Sequence, residues 1–178
     1  IAKSKAAWAD SYQKSYLPEP SARFILLHTL SHLLMRQIVF ECGYSSSSLR
    51  ERIYSSLPDS ELGPMAGILI YTADSDSEGA LGGLVDQGRV ETFIPNLLNA
   101  LLSAEWCSND PICSEIDGQG LAGLNRAACH ACSLVTETSC VYSNTLLDRT
   151  LLLGTRAPES GFTGFFESVL KAIREDET

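Results

Sequence analysis

The stretch that decides how this chain folds is Trp106-Cys107-Ser-Asn-Asp-Pro-Ile-Cys113, continued by Ala128-Cys129-His130-Ala131-Cys132 and ended by Thr138-Ser139-Cys140. Its cysteines follow the spacing C-x5-C-x15-C-x2-C-x7-C. A Cys-x2-Cys pair about fifteen to twenty residues from other thiols is typical of a tetrahedral thiolate site for Zn²⁺. The short spacing turns two sulfurs toward one point, and the intervening loop closes around the ion. The stretch therefore predicts a cysteine-rich zinc-binding lobe over residues 107–140.

A structural zinc site takes four ligands, so one of the five clustered cysteines is spare. Cys129 and Cys132 form the tight Cys-x2-Cys knuckle and are the pair most expected to bind. Cys107 and Cys113 follow a predicted helix and are joined by a turn at Asp110-Pro111, and Cys140 can replace either of them. We therefore expect the ligands to be four of these five residues: Cys107, Cys113, Cys129, Cys132 and Cys140.

His130 and Cys42 also carry side chains able to bind zinc, and disulfide bonds are the alternative to a zinc site. His130 lies inside the knuckle and offers a further ligand, but a residue in so tight a turn normally points outward. Cys42 follows an apolar helix and is predicted to be a small buried hydrophobe. A disulfide framework is the alternative to zinc. However, six cysteines in 178 residues are fewer than small secreted scaffolds carry, and no segment resembles a signal peptide.

Composition limits the classes of protein to which the chain can belong. Its 178 residues predict one domain, and no apolar run is long enough to span a membrane. Because the chain begins at Ile1, we expect it to be a piece of a longer polypeptide. The net charge of −9 argues against nonspecific nucleic-acid binding by bulk charge, unless Arg50, Arg52 and Arg126 gather into one patch.

Hydrophobic patterning predicts a helix-rich α+β fold with a small antiparallel sheet beside the zinc-binding lobe. Ser21 is expected to cap a helix that runs to about Glu41, and this helix is apolar nearly all round, which is typical of a central position. Residues 48–54 alternate between polar and apolar and predict a strand that pairs with a second strand over residues 65–72. Further helices are predicted within residues 1–16 and over residues 90–106, 143–153 and 161–174.

The central helix carries a polar stripe. His28, His32 and Arg36 follow one another at intervals of four residues, so they lie on one face. Two histidines one turn apart can share a metal, but the glutamate of the zinc-peptidase motif is missing here. We therefore expect this stripe to hydrogen-bond to a neighbouring loop.

A second polar cluster follows the second predicted strand. Asp74, Asp76 and Glu78 precede glycines at the start of a predicted helix, where carboxylates are favoured by the helix dipole and by free N–H groups. Helix capping is the expected role. We also consider the hypothesis that this acidic turn faces the stripe and that the two form one polar site: His28, His32, Arg36, Asp74, Asp76 and Glu78.

Taken in order, these motifs resemble a known family. The helix with His28-x3-His32, the segment 69–84 with its polar Gly-Gly turn, and the cysteines of residues 107–140 are similar to the MrfA-type zinc-binding domain, and most of all to its DrmB-like members from DISARM anti-phage defence systems. The resemblance covers residues 21–153. It leaves residues 1–20 as an N-terminal extension and residues 154–178 as a C-terminal amphipathic helix.

The resemblance implies a function beside a DNA translocase. Members of this family are helicase-associated, so it implies a cytoplasmic, noncatalytic zinc-binding module of a larger anti-phage defence protein. Such a module would dock on a helicase-like partner and assist DNA engagement. It would not bind a membrane. No Walker motif or helicase signature occurs in the sequence, and we expect no catalytic centre.

Two other functions remain open from the residues alone. One is a metal-dependent hydrolase or nuclease centred on His28, His32, Asp74 and Asp76, which would need an open, water-bearing metal. The other is a redox sensor in which the spare thiol forms a disulfide when zinc is released.

Overall fold

The structure is a computed structural model, and it describes residues 1–72, 80–155 and 162–176. The helices and strands within these ranges are α1 (Ala2–Asp10), α2 (Ala22–Cys42), β1 (Leu49–Tyr54), β2 (Gly67–Thr72), α3 (Ala80–Gln87), α4 (Val90–Ala104), α5 (Ile112–Glu115), α6 (Thr150–Leu153) and α7 (Glu167–Asp176). The predicted class, helix-rich α+β with a two-stranded antiparallel sheet and a cysteine cluster, is confirmed.

Helix α2 begins and ends where its local sequence predicts. The Ser21 side chain accepts a hydrogen bond from the backbone N–H of Phe24 at 3.1 Å, which satisfies a donor that the helix leaves free. At the other end Gly43 takes a left-handed conformation with φ of 67° and returns its N–H to the Val39 carbonyl. This conformation favours glycine because a Cβ would be strained there.

The apolar core surrounds α2, as its all-round hydrophobicity predicts. One end of the helix packs with Leu17, Ile53 and Leu146, and its middle packs against α4 and α6. Its last turns pack against Leu49 at the start of β1. The two strands and helices α3, α4 and α6 therefore all pack on α2.

Strand β1 separates its side chains cleanly between two faces. It pairs antiparallel with β2, from Leu49 opposite Thr72 to Tyr54 opposite Gly67. Leu49, Glu51 and Ile53 are buried, whereas the intervening residues face outward. The strand pair is confirmed, although β2 begins at Gly67 and not at the expected residue 65.

The predicted helix over residues 143–153 is wrong. Ser143, Asn144 and Leu146 all have positive φ, between 53° and 57°, which a right-handed helix cannot contain. Contacts outside the segment fix this conformation, because the Asn144 amide exchanges two hydrogen bonds with the backbone of Val135, nine residues earlier. Only residues 150–153 of the expected helix form a helix, α6.

The two ends of the chain pack on this frame. Trp8 of α1 donates its indole N–H to the carbonyl of Leu17, which is itself buried in the core. Helix α7 begins at Glu167, later than the predicted start at residue 161. The domain boundaries inferred from the sequence stay predictions. Among the described residues, no helix has both the length and the hydropathy that a bilayer crossing requires.

Candidate metal centre

Four cysteines converge on one point between α4 and the knuckle. The Sγ atoms of Cys107 and Cys129 lie 3.5 Å apart, and those of Cys113 and Cys132 lie 3.8 Å apart. The two knuckle sulfurs, of Cys129 and Cys132, are also 3.8 Å apart. Zn–S bonds of about 2.3 Å in a tetrahedron place sulfurs about 3.8 Å from one another. The spacing therefore suits a zinc ion, and it is too long for a disulfide of about 2.05 Å. All six cysteines lie in the described ranges, and each is a free thiol.

Local turns aim these sulfurs at one another. After α4 the chain turns through Asp110 and a cis Pro111, and the N–H of Cys113 bonds to the Asn109 carbonyl at 2.9 Å. In the knuckle, the N–H groups of Cys132 and the two residues after it all point to the Cys129 carbonyl. The Cys129 N–H in turn donates to the sulfur of Cys132 at 3.3 Å. Such N–H contacts favour thiolates.

The thiols differ in how readily they ionise without a cation. Burial raises the pKa of Cys129, but hydrogen bonds from Asn109 and Cys107 outweigh burial and bring the pKa to about 6. Burial and the nearby charge of Cys132 instead raise the pKa of Cys113 well above its ordinary value. Burial also raises the pKa of Cys107. Four adjacent thiolates therefore need a bound cation, which is the chemistry of a zinc site.

A buried arginine supports the cysteine cluster from behind. Arg149 is 4% exposed, and its guanidinium contacts both carboxylate oxygens of Asp110 at 3.0 and 3.2 Å. It also donates to the carbonyl of Ala104, at the end of α4, and to that of Ala127, just before the knuckle. Its positive charge lies close enough to Cys132 and Cys113 to interact with them. Arg149 was not predicted as a site residue, although a charged residue within the largely apolar segment 145–153 was a usable signal.

The remaining candidate ligands lie outside this cluster. Cys140 is buried, but its sulfur lies 3.2 Å from His28 and not among the other four sulfurs. His130 is exposed, in agreement with an outward-pointing knuckle residue. Cys42 packs at the edge of the apolar contacts around Met35. The four converging cysteines are therefore Cys107, Cys113, Cys129 and Cys132.

The polar stripe of α2 faces the knuckle and the sheet. Arg36 donates hydrogen bonds to three backbone carbonyls of residues 130–134. One turn earlier, His32 Nδ1 lies 3.0 Å from the carbonyl oxygen of Ser133. His28 and His32 are both 0% exposed, and their Nε2 atoms lie 3.0 and 3.2 Å from the same oxygen of Glu51. The stripe thus fastens the knuckle to the central helix.

Glu51 was missed as a site residue. Burial alone would raise the pKa of Glu51, but the His28 and His32 rings beside its carboxylate lower this pKa well below its ordinary value. The available signal was a carboxylate between Leu49 and Ile53, on the apolar face of an amphipathic strand. A carboxylate in that position requires a partner inside the protein.

Comparison with known proteins agrees with this geometry. The family model of the MrfA Zn-binding domain matches residues 30–133. The chain belongs to the MrfA Zn-binding domain family. The chain is also 41% identical, over 165 residues, to the DISARM protein DrmB of Bacillus paralicheniformis. This match covers 93% of the chain and 28% of that protein, so the chain spans less than a third of the relative's length. The resemblance inferred from the motifs is confirmed, and so is zinc as the cofactor of this domain.

The matched part of the MrfA Zn-binding domain contains the four converging cysteines and leaves out two other candidates. Cys107, Cys113, Cys129 and Cys132 lie within residues 30–133, whereas Cys140 and His28 lie beyond the two ends of the match. A four-sulfur site within the matched region has the ligand set of a structural zinc site.

The remaining sequence-predicted site residues are those of the acidic cluster. Asp74, Asp76 and Glu78 lie outside the described residues, so their predicted capping role and their predicted approach to the stripe stay hypotheses. The burial of His28 and His32 does not favour a hydrolase centred on them, because a hydrolytic metal needs a position that water and substrate can reach.

Proposed function

We propose that this chain is a noncatalytic zinc-binding module of a larger cytoplasmic anti-phage defence protein, and that its zinc is held by Cys107, Cys113, Cys129 and Cys132. The observation that carries the proposal is the closed set of four sulfurs. Three of them are no more than 6% exposed, so protein ligands fill all four positions and no open position remains for a substrate. The similarity to a DISARM protein supports the defence role.

The zinc ion acts by joining segments that are distant in the chain. It links the turn after α4, which carries Cys107 and Cys113, to the knuckle that carries Cys129 and Cys132. The knuckle is fastened to α2 through Arg36. Zinc therefore fixes the position of the lobe against the core, and its binding free energy contributes to folding.

Metal analysis of single-cysteine variants tests the ligand set. Cys113→Ser is expected to lose the zinc ion held by the four sulfurs, because a hydroxyl is a poor ligand for this site. Cys42→Ser is the matched control, since Cys42 lies in neither group of potential metal ligands. Zinc content is measured by inductively coupled plasma mass spectrometry after dialysis. Unchanged zinc in Cys113→Ser would contradict the assignment.

The surface proposed for docking on a helicase-like partner is the groove between α2, α4 and the knuckle. This groove has a cavity volume of about 730 Å³, and its lining includes Leu33, Leu134 and Phe40. Phe40 is 81% exposed, which is unusual for so large an apolar side chain next to other apolar groups. An aromatic anchor beside a concave surface is typical of protein interfaces.

Substitution of the anchor tests this docking surface. Phe40→Asp is expected to weaken capture of the helicase-like subunit of the defence system by at least tenfold. Tyr12→Asp serves as the control, because Tyr12 is 73% exposed and lies outside the groove. Affinity is measured with the zinc-loaded protein immobilised on a sensor surface and the helicase-like subunit in solution. Equal affinity of the two variants would contradict docking through the groove.

DNA engagement is proposed to use the outer face of the sheet. Arg50, Arg52 and Tyr54 alternate with the buried residues of β1. Arg50 lies opposite Tyr71, and Tyr54 and Tyr71 are 38% and 40% exposed. Basic and aromatic side chains on one face suit single-stranded DNA, because the former pair with phosphates and the latter stack on bases. Arg126 is engaged by Asp117 at 2.7 Å and is not needed for this face.

Charge reversal tests this face within the defence complex. Arg52→Glu is expected to reduce binding of single-stranded DNA and to flatten its dependence on salt. Lys14→Glu makes the same change in charge on an exposed residue of the 3₁₀ turn after α1. Fluorescence anisotropy at two salt concentrations measures both the affinity for single-stranded DNA and its dependence on salt. A loss of equal size in both variants would indicate bulk charge and not this face.

A further inference from the structure

A second group of metal-binding side chains lies beside the four-cysteine site and shares no residue with it. Helix α2 supplies His28 and His32, the inner face of β1 supplies Glu51, and the segment after the knuckle supplies Cys140. These residues are 0%, 0%, 1% and 5% exposed. One ligand atom from each lies within 4.8 Å of all the others. Four ligands of three chemical types thus meet in a fully enclosed space.

The hydrogen bonds of His32 leave its Nε2 without a donor, and a cation bound there would satisfy this nitrogen. Its Nδ1 lies 3.0 Å from the Ser133 carbonyl, so Nδ1 carries the proton and donates it there. In the neutral ring, Nε2 is then an acceptor, yet it lies 3.2 Å from a carboxylate oxygen of Glu51. Two acceptors face each other at this point. A metal ion or an additional proton must separate them, and a buried imidazolium carries a desolvation cost.

The same carboxylate also has an unused oxygen. Glu51 Oε1 lies 3.2 Å from His32 Nε2 and also 3.0 Å from His28 Nε2. Its Oε2 is buried and makes no hydrogen bond of normal geometry within the described parts of the chain. Buried carboxylate oxygens are nearly always satisfied by donors or by metals. This oxygen is a second indication that a cation belongs among these side chains.

Cys140 completes the group as a thiolate ligand would. Its sulfur lies 3.2 Å from His28 Nε2 and accepts the backbone N–H of Asn144 at 3.4 Å. Cys107 accepts the N–H of Asn109 at the same distance in the four-cysteine site. Both sulfurs therefore receive a backbone N–H contact of the kind that favours a thiolate.

We propose that His28, His32, Glu51 and Cys140 form a second, fully enclosed site that holds a zinc ion. Tetrahedral zinc with nitrogen or oxygen at about 2.0–2.1 Å and sulfur at about 2.3 Å separates its ligands by about 3.3–3.6 Å. The contacts at 3.0–3.2 Å need to open by only a few tenths of an ångström to admit the ion. Imidazole and thiolate ligands exclude Mg²⁺ and Ca²⁺, which prefer oxygen.

The second ion joins segments that the first ion does not reach. It links α2, β1 and the chain after the knuckle, so it has a structural and not a hydrolytic role. Ser133 connects the two sites. Its carbonyl accepts the hydrogen bond of His32, and its hydroxyl donates to the sulfur of Cys132 at 3.4 Å. His28 and Cys140 lie outside the matched family region of residues 30–133, so the four-cysteine site does not depend on this proposal.

Counting zinc ions in the unaltered chain tests the proposal without any substitution. Native mass spectrometry of the 178-residue chain loaded with zinc is expected to give two ions per chain. X-ray absorption at the zinc edge is expected to give five sulfur and three nitrogen or oxygen ligands over two ions, in place of four sulfurs around one. One ion with only sulfur ligands would overturn the second site and leave the proposed function intact.

Variants assign each ion to its site. Cys140→Ser is expected to retain one ion, with only sulfur ligands, and Cys42→Ser to retain both. Cys113→Ser is expected to keep the ion of the mixed site. If Cys140→Ser keeps two ions, the second site is refuted. If the only ion is lost in Cys140→Ser and kept in Cys113→Ser, the second site stands and the four-cysteine assignment of the proposed function fails.

Discussion

Replacing Arg149 by Met is predicted to be one of the most destabilising single changes in this domain. The Asp110 side chain is 10% exposed, and the substitution leaves its carboxylate without its arginine partner. The carbonyls of Ala104 and Ala127 lose a donor at the same time. Removal of one member of a buried ion pair costs about 3–5 kcal/mol, because the other charge stays buried.

Urea unfolding of the zinc-loaded protein measures this loss. With a slope of about 2 kcal/mol per molar urea, a loss of about 3–5 kcal/mol lowers the midpoint by about 1.5–2.5 M. Circular dichroism follows the transition at a fixed, saturating zinc concentration. Arg126→Met is the control, because its partner Asp117 is 64% exposed, and its midpoint is expected to stay close to that of the unaltered protein.

A double variant separates the unpaired charge from the lost packing. Arg149→Met combined with Asp110→Asn is expected to be more stable than Arg149→Met alone, since no buried carboxylate remains without a partner. A midpoint shift below about 0.5 M in Arg149→Met would refute the reasoning. So would a double variant no more stable than the single one.

Three other substitutions test separate parts of the fold. Gly43→Ala is expected to cost about 1 kcal/mol in thermal unfolding, because φ is 67° at this position, and no cost would contradict the left-handed end of α2. Leu152→Ala, at 0% exposure in the core between α2 and α4, is expected to lose about 2–5 kcal/mol, and a loss under about 1 kcal/mol would contradict its packing. Burial raises the pKa of Asp148 in the folded state above its ordinary 3.8, so the folded state binds this proton more tightly than the unfolded state. The stability from this proton is present below pH 3.8 and is lost as the pH rises through the raised pKa of the folded state. Asp148→Asn keeps an acceptor for Thr150 and is expected to remove this loss, so parallel pH dependences of melting temperature in the two proteins would contradict it.

The local parts of the fold could be predicted from the sequence. Ser21 and Gly43 mark the two ends of α2 by interactions within a few residues, and the alternation in β1 sets which side chains face the core. The Cys-x2-Cys knuckle has the same local character. Each of these features depends on neighbours in the chain, which a sequence displays directly.

The errors and omissions come from contacts between distant segments. Residues 143–148 have a pattern typical of a helix start, but the Asn144 side chain bonds to Val135 and holds the backbone at positive φ. The alternation of β1 places Glu51 on the apolar face, but only the fold brings the two histidines of α2 beside it. Likewise, spacing alone left five cysteines to compete for four positions, and only the fold separates Cys140 from the others.

The long distance in sequence between α2 and the knuckle has a consequence for synthesis. His32 and Ser133 are 101 residues apart, and Arg36 is 98 residues from Leu134. At about 5–20 residues per second, a ribosome finishes the knuckle about 5–20 s after α2 has emerged. During that interval α2 exposes its apolar side chains, and the partners of His32 and Arg36 do not yet exist. Zinc can close the lobe only after this delay, so we expect the yield of folded protein to depend on protection of α2 during synthesis as well as on metal supply.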